Sequence, residues 1–130
     1  MRNLVRYCCS GVFALLLWGS SNAVVRADAG VSPKEAAAMQ SSKNAIIVDV
    51  REDNEWQEQH IPGALHIPLS QLDSRMGELK GRQHGAIVMQ CRSGKRSAKA
   101  QAALQSAGFA NVYNMEGGLL AWQQQGLSVE

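Results

Sequence analysis

Two short runs, Ala45-Ile46-Ile47-Val48 and Ala86-Ile87-Val88-Met89, are apolar at every position and rich in β-branched residues. A strand with one wet face alternates apolar and polar side chains; these runs do not, so each is read as a strand buried on both faces. Burial on both faces requires helices above and below the sheet, the arrangement of parallel α/β domains. The rest of the chain supplies those helices. Ser32-Pro33-Lys34-Glu35 offers a capping serine, proline at the first helical position and a glutamate that completes a capping box. The charged stretch from Glu52 to Gln59 predicts a short surface helix anchored by Trp56, and residues 71–79 a helix capped by Ser70, with a loop from Gly81 to Gly85. An alanine-rich helix over 98–107, stopped by Gly108, and a last helix opened by Gly117-Gly118 and ended at Gly126 complete the set, with Asn111 to Asn114 as a third strand. The expected fold is a mostly parallel central sheet flanked by helices on both faces.

At 130 residues, 45% hydrophobic and 18% charged, the chain is long enough for one core and too short for two typical domains. Its first residues do not look like part of that core. Arg2 and Arg6 precede an apolar run from Val12 to Trp18, and small residues follow from Gly19 to Ala23. This is the layout of a secretory signal peptide. Cleavage after Ala23 leaves Ser21 and Ala23 at the small-residue positions, and cleavage after Ala29 uses Ala27 and Ala29; Ala23 is favoured because it lies closer to the apolar run. The run from Cys8 to Trp18 is far short of the roughly 20 apolar residues of a spanning helix, so no stable membrane association is expected after cleavage. The expected organisation is a signal peptide over 1–23, a tail over 24–31 and one domain over 32–128.

Removal of residues 1–23 takes two of the 13 Lys and Arg and leaves 11, equal to the 11 Asp and Glu. A neutral protein has no overall basic field to hold phosphate backbones, which excludes nucleic acid as an expected partner. The same cut removes Cys8 and Cys9 and leaves Cys91 as the one thiol of a chain sent to a disulfide-forming compartment. A solitary cysteine there is either buried and inert or kept for its reactivity. The missing second thiol argues against disulfide exchange of the Cys-x-x-Cys kind. His60, His66 and His84 lack metal-ligand spacing, so no metal is expected. Trp56 and Trp122 read most simply as packing anchors.

The residues around Cys91 decide between inert and reactive. Cys91-Arg92-Ser93-Gly94-Lys95-Arg96-Ser97 follows the second strand and leads into the alanine-rich helix. A loop at that junction aims several backbone N–H groups at one spot, a nest that favours negative charge. A helix terminus contributes about 1 kcal/mol to an anion, on the order of one pKa unit, which raises the thiolate fraction at pH 7 from ~3% to ~24%. Arg92, Lys95 and Arg96 add positive charge on an otherwise neutral protein. In parallel sheets, ligands gather beyond the carboxyl ends of the strands, where Asp49-Val50-Arg51 also lies.

The string from Cys91 to Ser97 resembles the active-site loop of the rhodanese family. Asp49-Val50-Arg51-Glu52, Glu55-Trp56, His60-Ile61-Pro62-Gly63-Ala64 and Ile67-Pro68 resemble that family's first signature. Gly108-Phe109, Val112-Tyr113 and Glu116-Gly117-Gly118 with Trp122 resemble its closing segment, so the likeness spans residues 45–125. The export signal and single domain are similar to those of periplasmic single-domain members. The resemblance implies a sulfurtransferase in which the Cys91 thiolate takes a sulfur atom from a small donor such as thiosulfate, holds it as a covalent persulfide without any cofactor, and passes it to cyanide or a thiol. It implies further that the amides of Arg92, Ser93, Gly94, Lys95, Arg96 and Ser97 hold the outer sulfur, that Asp49 braces the loop, and that Arg51 binds donor oxyanions. Against these stand plainer roles: Asp49 as a cap for its own strand end, Arg51 as partner to a nearby carboxylate, Lys95 as a solvent-facing cation, and His60 as a structural hydrogen-bonder. Two-domain thiosulfate enzymes of the family carry a basic residue two positions after the cysteine, where this chain has Ser93. Cysteine phosphatases use a wider loop, with five residues between cysteine and arginine against the four from Arg92 to Lys95 here. A smaller ring suits one sulfur atom better than a phosphate. The second reading kept open is a non-catalytic rhodanese-like binding or sulfur-carrier module.

Overall fold

The structure, a computed structural model, describes residues 29–42, 44–82 and 85–130. The expected signal peptide, and His84, lie outside these residues. The described chain runs β1 (Gly30–Val31), α1 (Pro33–Ser41), β2 (Ala45–Asp49), α2 (Asp53–Glu58), β3 (Leu65–His66), α3 (Leu72–Arg75), β4 (Ala86–Gln90), α4 (Lys95–Ser106), β5 (Val112–Met115) and α5 (Gly118–Gln124). The sheet order is β1-β5-β4-β2-β3, and every pairing is parallel. The two continuously apolar runs are the neighbours β2 and β4, paired in register from Ala45 opposite Ala86 to Asp49 opposite Gln90.

Because side chains alternate across a strand, these two strands feed two separate cores. Val48, Ile87 and Met89 pack on one face with Leu72, Leu79, Ala100, Leu104 and Phe109, from α3, the turn after it, α4 and the segment that follows α4. Ile47 and Val88 pack on the other with Ala36 of α1 and Leu119 and Trp122 of α5. The expected α/β domain with helices on both faces is what the structure shows.

Some local expectations shift. Ser32 caps α1, its Oγ accepting from Glu35 N at 3.1 Å. Ser70 caps nothing: it lies inside a 3-10 turn over Leu69–Gln71 that follows Pro68. The helix expected over 71–79 is only the four residues of α3, continued by 3-10 turns over Met76–Arg82. Gly77 and Gly81 weaken an α-helix there, while Leu72 and Leu79 still bury their side chains. Gly30 and Val31, at the end of the segment expected as a tail, add an edge strand to β5, and the third strand begins at Val112 rather than Asn111.

The sheet centre carries the stability. Ile47→Ala is expected to cost about 2–5 kcal/mol in denaturant unfolding, the range for truncating a fully buried aliphatic side chain. Leu120→Ala, at a side chain 42% exposed, is expected to stay within about 0.5 kcal/mol of wild type.

Candidate active site

Parallel pairing in register brings the carboxyl ends of β2 and β4 to the same edge of the sheet, and Val50 N donates to Gln90 O at 2.9 Å to hold them there. Cys91 is the next residue. From it the chain curls through Arg92 and Ser93 to Gly94, whose φ of +107° is the left-handed value that lets a tight turn close, and α4 starts at once with Lys95. Arg96 and Ser97 therefore stand in the first turn of the helix and not in the loop.

The peptide units of this loop are sorted by direction. Gly94 N donates to Cys91 Sγ at 3.1 Å, and Ser97 Oγ lies 3.3 Å from the same sulfur. The carbonyls point away and are held: Leu119 N donates to Cys91 O at 2.8 Å, Leu120 N to Arg92 O at 3.2 Å, and Gln90 Nε2 also to Cys91 O at 2.8 Å. This clamp requires the start of α5 to touch the loop backbone. At Gly118, with φ of +58°, a Cβ would collide with the Arg92 carbonyl and sit 2.6 Å from Cys91 O. The double glycine that opens the last helix is thus a contact surface for the Cys91 loop.

Cys91 is 1% exposed and belongs to the core cluster that includes Met89 and Ala100. Burial pushes the thiol pKa up, but the Ser97 hydroxyl and the amides of Ser97, Gly94 and Ser93 outweigh it, and the net shift is downward. The sulfur is enclosed, yet it is met by backbone N–H dipoles that favour its anion.

The cations distribute differently from the simple expectation of a positive loop. Arg96 is committed: its Nη1 and Nη2 donate to the two carboxylate oxygens of Glu55 at 2.7 and 2.9 Å. Glu55 also accepts from Glu52 N at 3.0 Å, so one carboxylate joins the start of α2 to the start of α4. Arg92 and Lys95 are exposed. Arg51, expected to reach donor oxyanions, is 3% exposed and turned inward: its guanidinium bonds both oxygens of Asp49, with Nη2 at 2.8 Å from Oδ2, and the carbonyl of Gln59 at 2.8 Å. Asp49 accordingly does not reach the Cys91 loop; with Arg51 it fastens α2 to the end of β2. Arg51 is thus paired with a nearby carboxylate, and Lys95 faces solvent. His60 Nδ1 donates to Trp56 O at 2.8 Å, and Trp56 stacks on the rings of both His60 and His66, at centroid distances of 3.7 and 4.7 Å. Among the described residues, no cluster of three or more His, Cys, Asp or Glu is placed to hold a metal ion, and no helix is long and apolar enough to cross a membrane.

A surface pocket of about 260 Å³ lies between α2 and α5, lined by Arg92, Glu55, Glu58, Leu119 and Leu120 among others. Two residues that brace the Cys91 loop carry no motif in the sequence: Asn114, whose side chain on β5 touches both Ser97 and Gly94, and Gln90, which holds the Cys91 carbonyl. Asn114 is a polar residue in an otherwise strand-like run, Val112 to Met115, and that interruption was its one visible signal.

The model of the rhodanese-like domain matches residues 32–125. The chain belongs to the rhodanese family. Among relatives, the probable adenylyltransferase/sulfurtransferase MoeZ of Mycobacterium tuberculosis is 38% identical over 96 residues, 73% of this chain and 24% of that protein. A sulfurtransferase of Allochromatium vinosum is 37% identical over 89 residues, 68% of this chain and 80% of its own length. A solved thiosulfate sulfurtransferase of Pseudomonas aeruginosa superimposes with a TM-score of 0.72 at 27% identity, over 79% of this chain and 20% of that one. The chain spans about a quarter to a half of the length of several curated relatives it matches. This rhodanese domain is therefore similar in sequence and in fold to proteins described as sulfurtransferases.

The Glu55–Arg96 pair yields a pH test. Arg96 pulls the Glu55 carboxyl down to about 2, aided by the Glu52 amide and opposed by burial. A depressed acid stabilises the fold above its unfolded pKa and loses that contribution as pH falls through the folded value. The stability gap between wild type and Glu55→Gln is thus expected to be constant above about pH 5 and to close between about pH 4.5 and 2, read by denaturant unfolding across that range.

Proposed function

We propose that this rhodanese domain is a sulfurtransferase that carries a sulfane sulfur on Cys91. The observation that supports it most is the convergence of the Gly94 amide and the Ser97 hydroxyl on Sγ while the loop carbonyls are tied back to α5. An inert core cysteine needs no such sorting. In the first step the Cys91 thiolate attacks the outer sulfur of a donor such as thiosulfate; the donor's S–S bond breaks, and sulfite leaves with its electron pair. In the second, cyanide or a thiolate attacks the outer sulfur of the persulfide, and the bonding pair returns to Cys91. The loop amides stabilise the negative sulfur in both, as an oxyanion hole does for oxygen. No cofactor enters, and the partners are small molecules.

Ser93, where two-domain thiosulfate enzymes have a basic residue, and the engagement of Arg51 and Arg96 leave Arg92 and Lys95 as the cations available to an anionic donor. The chain is proposed to reach the periplasm, or another exported location, with cleavage after Ala23. In support, Ala29 O accepts from Asn114 N at 3.1 Å and Gln101 Nε2 at 2.9 Å, and a cut after Ala29 would remove that acceptor.

One experiment addresses both. Intact-mass measurement of the exported protein is expected to show a chain beginning at Val24, gaining about 32 Da with thiosulfate or another sulfane donor, losing it to cyanide, and gaining nothing in Cys91→Ala. A gain that cyanide does not remove points to the sulfur-carrier reading. No gain with any donor rejects the enzyme and leaves the binding module.

A further inference from the structure

We propose that Asn114 is a positioning residue for Cys91, acting through the single hydroxyl proton of Ser97. Ser97 is buried, and its Oγ stands between two acceptors: Asn114 Oδ1 at 2.6 Å and Cys91 Sγ at 3.3 Å. The orientation of the Asn114 amide is settled by its other end. Nδ2 donates to Gly94 O at 3.1 Å, and a carbonyl can only accept, so the oxygen faces Ser97. Oδ1 donates nothing, and the short contact therefore uses the Ser97 proton. With that proton on Asn114, Ser97 shows the sulfur a lone pair, which suits a neutral S–H donor. When Cys91 ionises, its proton departs to solvent and the Ser97 hydroxyl rotates from Oδ1 to the thiolate. One O–H···O bond is exchanged for one O–H···S bond. Asn114 thus holds the resting thiol, and the hydroxyl turns only when negative charge on sulfur outbids the amide.

The surroundings leave this exchange exposed to measurement. Arg96 of α4 is tied to Glu55 of α2, Arg51 is tied to Asp49 at the end of β2, and Tyr113 of β5 packs into the opposite core. Arg92 of the loop and Lys95 at the start of α4 are exposed. The inference deepens the reading of Cys91 as the sulfur-bearing nucleophile and rests on it for its significance. Its test uses no sulfur donor, so the two fail separately.

The thiolate of Cys91 is titrated by ultraviolet absorbance in the exported chain, for Asn114→Ala and the near-isosteric Asn114→Leu, each with Ser97 present and in a Ser97→Ala background, with thermal unfolding as a check on the fold. Loss of the Nδ2 bond loosens Gly94 equally in both backgrounds and cancels in the comparison. With Ser97 present, removing the competitor is expected to shift the midpoint downward, relative to its effect without Ser97, by about half to one pH unit, the worth of one neutral hydrogen bond. The same shift in both backgrounds, or one upward only when Ser97 is present, overturns the proposal and reduces Asn114 to an anchor for Gly94.

Discussion

The direction of the three peptide units that join Cys91 to Gly94 is the feature on which the site depends. A buried sulfur among apolar side chains would hold its proton; this one is met by N–H dipoles because the carbonyls of Cys91 and Arg92 are occupied elsewhere. The occupants are the first amides of α5, which have no partner within their own helix. Each end thus satisfies the other: the helix loses its orphan donors and the loop its outward carbonyls. The close approach this needs is available only where Gly118 leaves no side chain in the way. Packing of Leu119 and Trp122 into one core therefore sets the chemistry of a cysteine that belongs to the other.

Full charges play a smaller part than the loop's composition suggests. Arg51 and Arg96 are both matched by carboxylates, Asp49 and Glu55, and both pairs fasten α2 to the sheet edge and to α4. The sulfur's anion is stabilised mainly by fixed dipoles, which are already oriented before the charge appears. The unmatched cations, Arg92 and Lys95, are exposed, and their influence is screened by salt in a way that the dipoles' is not.

What was legible in the sequence was local. Unbroken apolar runs rich in β-branched residues marked β2 and β4, Ser32-Pro33 marked the start of α1, and a cysteine between strand and helix with a glycine three residues on marked an anion nest. What was not legible depended on partners distant in the chain. Arg96 meets Glu55 across 41 positions and Ser97 meets Asn114 across 17, and no periodicity announces either. The two-residue strand β1 is too short to show a pattern and exists because β5 offers it an edge. Glycines and burial needs divided the helix expected over 71–79 into a short α-helix and 3-10 turns. Arg51 was ambiguous in the sequence for a local reason: a strand-end arginine two residues from an aspartate can pair with it, and here it does.

The central claim is that the folded loop makes this sulfur a better anion than an unstructured chain does. The direct measurement is the ionisation midpoint of Cys91 in the native protein and in the same protein unfolded in urea, read by the pH dependence of thiol alkylation. The account predicts a native midpoint below the ordinary value of about 8.5 and an unfolded one at it. A native midpoint at or above the unfolded one would mean that burial wins over the amides, and would contradict the account.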